Sequence, residues 1–145
     1  MKALLSHWQI WAVLSAAFAA LTAIFAKVGV ENVNSDFATF VRTIVVILAL
    51  LAILTITGHW QAPGEISRRT YIFLILSGLG TGLSWLCYFH AMQLGDAARV
   101  APIDKLSVVM VAIFSVAFLG EKLAALNWVG IAMIAGGAVL VALKV

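Results

Sequence analysis

Five apolar runs, each about twenty residues long and separated by short polar connections, constrain this chain more than any other feature. A helix rises about 1.5 Å per residue, so roughly 20 residues cross the ~30 Å hydrocarbon layer of a bilayer. The runs predict helices at about residues 8–28, 37–57, 71–94, 97–119 and 124–143. They are too long for strands, and their many small residues suit helix packing in lipid. Only 10% of the 145 residues are charged and 64% are hydrophobic. A soluble domain carries about 25% charged residues, so this composition needs a bilayer to receive its apolar surface. The expected fold is an all-α membrane protein, a five-transmembrane-helix bundle forming one domain over residues 1–145. Lys2 followed by an apolar stretch resembles a signal peptide, but the length of that stretch and the four spans after it predict a retained helix.

Glu31 to Asp36 joins the first pair of helices, with Ser35 or Asp36 as the expected N-cap. His59 to Thr70, Gly95-Asp96 and Gly120-Glu121-Lys122 make the other connections, with Asp96 as the expected cap of the fourth helix. Odd-numbered spans put the N-terminus and the loops at Arg68 and Lys122 on one membrane face, here face A. The loop at Glu31, the turn at Asp96 and the C-terminus lie on face B. Trp8, Trp11, Trp60, Tyr71 and Trp128 fall near face A, as an interfacial aromatic belt requires. Basic residues do not choose an orientation. Face A has Lys2, Arg68, Arg69 and Lys122; face B has Lys27, Arg99 and Lys144, with Arg42 and Lys105 deeper on that side. With so little asymmetry, insertion in both orientations is the expectation.

Charged groups within a span cost about 3 kcal/mol or more and mark functional or paired positions. Arg42 is expected about 8 Å into the second helix, and Asp104 and Lys105 about 10 Å into the fourth. Both helices begin at face B, so the three share a layer, which Lys27 and His90 approach. A buried charge seeks an opposite partner, which makes Arg42–Asp104 the natural pairing. Two readings stay open: a polar cavity visited by a solute or proton, or a structural ion pair with the lysines reaching to the interface.

On the third helix, Ser77, Thr81, Ser84 and Tyr88 recur at spacings of four, three and four, which places them on one face. They could line a wet pathway, or bond the preceding turn's carbonyls. Gly78 and Gly82 form a G-x-x-x-G, expected to allow close helix contact, and Ala132, Ala135, Gly136 and Gly137 give the fifth helix a similar smooth face. Pro102 kinks the fourth helix if it begins at Ala97, and sits harmlessly in the first turn if it begins near Arg99. Glu121 is expected at a helix end, paired with Lys122 or Arg68.

No nucleophile elbow, metalloprotease motif or phosphate loop is present, and no enzyme or cofactor is expected. Cys87 is alone in an apolar run, and His7, His59 and His90 are too scattered for a metal site. The net charge of +3 is spread along the chain and gives no footprint for nucleic acid.

The stretch from Tyr88 through His90, Gly95 and Asp96 to Ala97, then Val100-Ala101-Pro102, Leu119-Gly120-Glu121-Lys122, Trp128-Val129-Gly130-Ile131 and Gly136-Gly137, resembles the EamA domain of the drug/metabolite transporter superfamily. Lys27 and Arg42 fit the same pattern. Pro102-Ile103-Asp104-Lys105-Leu106-Ser107 resembles its small five-helix bacterial and archaeal branch. Most members of the superfamily carry two such units, the second inverted. The resemblance therefore implies a single EamA-like repeat that pairs with a copy of itself, antiparallel, in the cytoplasmic membrane. It implies a secondary transporter of small metabolites working by alternating access. Arg42, Asp104 and Lys105 would be the charged part of its pathway, and an anionic or zwitterionic substrate would suit the positive surplus. The related four-helix multidrug exporters use a carboxylate in their first helix. This chain has none there before Glu31, so the resemblance does not extend to their proton-coupled cation export. The alternative function is a non-transporting membrane subunit packed against a larger partner.

Overall fold

A computed structural model describes residues 7–143; Lys2 and Lys144, used above to compare the two faces, lie outside them. The described residues form helices and connecting turns without a strand. The helices are α1 (Trp8–Gly29), α2 (Ser35–Thr57), α3 (Arg68–Leu94), α4 (Ala97–Asp104), α5 (Ser107–Leu119) and α6 (Ala125–Ala142). Taken with α4 and α5 as one span from Ala97 to Leu119, five helices are long and apolar enough to cross a membrane. Large apolar side chains cover their outer surfaces: Ile56 is 84% exposed, and Phe118 and Leu126 are each 80% exposed. Water would penalise such a surface, whereas lipid tails match it. The chain is an all-α membrane protein with five spans.

Local chemistry sets the helix ends. Asn34, not Ser35 or Asp36, is the N-cap of α2: its Oδ1 accepts from the Asp36 N–H (2.9 Å) and the Phe37 N–H (3.2 Å). The short amide side chain satisfies two donors that the helix leaves open, while Ser35 and Asp36 already belong to the first turn. α2 ends at Gly58, whose φ of 67° only glycine adopts without strain, and its N–H donates to Leu54 O at 3.0 Å. Ser67 starts α3 by accepting from the Thr70 N–H at 3.1 Å. The Tyr71 hydroxyl donates to Pro63 O at 3.3 Å, tying the preceding loop to the first turn. At 27 residues α3 is about 40 Å long, longer than the hydrocarbon layer needs. α5 stops at Gly120 (φ 68°), and the Glu121 N–H returns to Ser115 O at 3.1 Å.

The chain separates into two compact units. One combines α1 as far as Phe25 with α4, α5 and α6. In it, α6 packs on both α4 and α5. Ala138 on α6 and Ala112 on α5 are buried, small side chains that let backbones approach. The other runs from Ala26 to Gln93 and holds the end of α1 with α2 and α3. Its buried residues are Ala26, Val30, Ser35, Thr39, Phe89 and Met92, all near the α1–α2 loop and the C-terminal turns of α3.

The span from Ala97 to Leu119 is not one smooth helix. It begins at Ala97, because Arg99 and Val100 both donate to Asp96 O at 2.9 Å. Pro102 therefore lies in the interior and cannot donate to Ala98 O. Three residues later the hydrogen bonds shorten their reach: Leu106 donates to Ile103 O, Val108 to Lys105 O and Val109 to Leu106 O, each at 3.0 Å. This tightened turn at Lys105–Leu106 divides α4 from α5.

Candidate functional site

In the unit formed by residues 26–93, Arg42 sits in the third turn of α2, about 10 Å from the helix start. It is half-buried. Its guanidinium carbon lies 4.0 Å from the centre of the Trp85 ring and 5.4 Å from that of Phe89, both on α3. Contacts this close are attractive through the ring quadrupole, more so where water is scarce. Within residues 26–93 no oxygen accepts a hydrogen bond from Arg42. Sequence reasoning picked out Arg42 but missed Trp85. The signal was available: an indole four residues before Phe89, and inside the span instead of at its edge, where tryptophans gather.

Near this pair the end of α1 and the α1–α2 loop are stitched to the end of α3. Lys27 donates from Nζ to Met92 O at 2.8 Å, neutralising a carbonyl that the C-terminal turn of α3 leaves open. Gln93 donates from Nε2 to Val30 O (3.1 Å) and Val33 O (2.5 Å), holding the α1–α2 loop. The structure thus gives Lys27 a structural partner. Gln93 was not anticipated, because a lone glutamine at a helix end carries no pattern.

The hydroxyl stripe of α3 divides. Thr81 donates to Ser77 O at 2.9 Å, so its hydroxyl is satisfied by its own helix. Ser77, Thr81 and Ser84 are exposed and Tyr88 is half-buried. His90 is exposed on the same helix. Gly78, Gly82, Gly136 and Gly137 make no close approach to another element, since a methyl group at any of them would meet nothing within 4 Å. Helix contact in α6 instead uses Ala138, with Ile131, Ala135 and Ala142 half-buried at helical spacing beside it. Of the smooth face expected there, Ala135 is half-buried, while Ala132, Gly136 and Gly137 are exposed.

In the other unit, Asp104 ends α4 and Lys105 begins the tightened turn. Lys105 Nζ donates to Asp104 Oδ2 at 3.1 Å, with Asp104 the more buried of the two. Asp96 occupies the N-cap position of α4, but its carboxylate accepts no helix N–H. It forms an ion pair with Arg99 one turn on, through both Nε and Nη2. Glu121 is exposed beyond Gly120, and no ion pair with Lys122 forms. The Arg42–Asp104 pairing expected from sequence would join residues of different units. Within its own unit Arg42 engages aromatic rings, and within its own Asp104 accepts Lys105. Among the described residues no group of three His, Cys, Asp or Glu side chains is arranged for a metal.

No solved structure matches the chain. A protein named "Uncharacterized transporter in cobO 3'region", from a Sinorhizobium species, is 66% identical over 135 residues, which cover 93% of this chain and 96% of that protein. The EamA-like transporter family matches residues 6–143. With five spans and a family match over nearly its whole length, the chain belongs to the EamA-like transporter family of integral membrane proteins.

Proposed function

We propose that this protein is a secondary transporter of small metabolites in the cytoplasmic membrane, working as an antiparallel homodimer with alternating access. The observation that carries this reading is the extent of the family match: one five-span unit accounts for residues 6–143. That unit also covers 96% of the Sinorhizobium relative named as a transporter. Five spans put the two ends of a unit on opposite faces, so a copy related by an in-plane axis must be inverted. Two such units give the inverted repeat on which alternating access rests.

Arg42, Asp104 and Lys105 are the charged groups of the pathway in this proposal, with Ser77, Thr81, Ser84 and Tyr88 as polar contributors. Their support is physical: charge inside a span is costly, and at these positions it is only partly shielded by protein. The partly shielded positive charge at Arg42 favours an anionic or zwitterionic substrate. A break beside Pro102 and Asp104 also leaves backbone carbonyls next to a charged group, an arrangement suited to a transport site.

The test is uptake into liposomes by purified protein, with Asp104→Asn as the comparison. The variant should fold, run as the wild-type oligomer and lose transport. Undiminished uptake by Asp104→Asn would remove Asp104 from the pathway. A wild-type protein that moves no metabolite, yet purifies with a stoichiometric membrane partner, would instead make it an accessory subunit.

A further inference from the structure

We propose that Arg42, held over Trp85, is a receptor for the carboxylate of a small organic monoanion or amino acid. For its role in transport this rests on the function proposed above; the binding itself does not. A distance of 4.0 Å from guanidinium carbon to ring centre fits stacking through the guanidinium face. An edge-on approach would interpose an N–H between the carbon and the ring. Stacking uses the face of the cation and leaves its edge, where five N–H donors lie in one plane, for a second partner.

Within residues 26–93 the contacts of the guanidinium are with the two rings, and no acceptor is bonded to that edge. Nor is the guanidinium sealed in: no side-chain nitrogen of a described residue is both fully buried and without a partner. A planar fork of donors with surface still open, about 10 Å inside a span, matches the geometry of a carboxylate, which accepts two parallel hydrogen bonds. The low dielectric at that depth strengthens such a pair.

Charge count narrows the class. Arg42 is the one basic residue within α2, and the nearest cation along the chain on the adjoining helix end, Lys27, directs its Nζ to Met92 O. One fixed guanidinium balances one negative charge, so a monocarboxylate fits better than a phosphate dianion. Trp85 and Phe89 hold the cation in place and give the carboxylate's organic part an apolar, aromatic wall.

The experiment is calorimetric titration of the detergent-purified protein with benzoate, its neutral isostere benzamide, and inorganic phosphate. Benzoate should bind and benzamide should not. Arg42→Lys keeps the charge but loses the fork, and should weaken benzoate binding about tenfold or more. Trp85→Phe shrinks the ring surface that holds Arg42, and should weaken benzoate binding severalfold while abolishing the benzoate-dependent change in tryptophan emission. Benzamide binding as tightly as benzoate, phosphate binding more tightly, or an unchanged affinity in Arg42→Lys would each overturn the assignment. Liposome uptake separates the two proposals. Benzoate binding that depends on Arg42 in a protein that moves nothing would sink the transporter reading alone. Uptake by a protein whose benzoate binding ignores Arg42 would sink this one alone.

Discussion

Arg42 can remain charged in a membrane span because its flat cation finds flat electron-rich surfaces. Lysine in the same place would lack that fit, since an ammonium is a compact and strongly hydrated point charge. Several hydroxyls of the spans are satisfied locally. Thr39, Thr43, Thr55, Thr57 and Thr81 each donate to a carbonyl one turn back. A hydroxyl in lipid thereby costs little. At the loop between α1 and α2, Asn34 carries the cap, so Asn34→Ala should lower stability by about 1 kcal/mol, while Asn34→Asp should retain most of it. Unfolding of the two variants in detergent measures this, and equal stability would mean that Ser35 or Asp36 takes over the cap. The sequence pointed to a cap within two residues of the right place, because several capping residue types cluster there. Choosing among Asn34, Ser35 and Asp36 required the backbone. The place of Trp85 inside a span was legible, but its contact with Arg42 was not, for a related reason: a contact between helices has no period along one helix.

At the scale of elements, four of the five spans were legible to within about three residues from apolar length alone. The expected 8–28, 37–57, 71–94 and 124–143 correspond to Trp8–Gly29, Ser35–Thr57, Arg68–Leu94 and Ala125–Ala142. The remaining span was legible in extent but not in its interior. Pro102 announced an irregularity, yet the tightened turn lies three residues beyond it, where the hydrogen-bond ladder recovers from the missing donor. Filling that gap tests whether the break matters. Pro102→Ala restores a donor toward Ala98 O and should join α4 to α5 more firmly. Amide exchange through Ile103–Leu106 should slow, and transport should fall while thermal stability holds or rises. Faster exchange at those amides would show that proline stabilises this turn instead of causing it. Gly78 and Gly82 marked a close helix contact that neither makes among the described residues. Single-helix patterns record which faces are smooth, not which neighbour uses them.

For the whole molecule, the five-span count and the near balance of basic charge across the two faces are linked. An odd unit that is one half of an inverted pair has to enter the membrane both ways, and a strong charge bias would forbid half of the insertions. The described residues keep Arg68, Arg69 and Lys122 at the ends assigned to face A, and Lys27 and Arg99 at those assigned to face B. That balance was legible because it depends only on span count and charge position. The proposed partner copy was not, since no pattern in one chain records the orientation of another. The direct measurement is labelling of a single cysteine at the α5–α6 turn. Lys122→Cys in a Cys87→Ala background would be exposed in intact cells to a membrane-impermeant thiol reagent. Antiparallel pairing predicts that about half of the molecules label from outside and the rest only after the membrane is opened. Labelling of all molecules, or of none, before opening would contradict it.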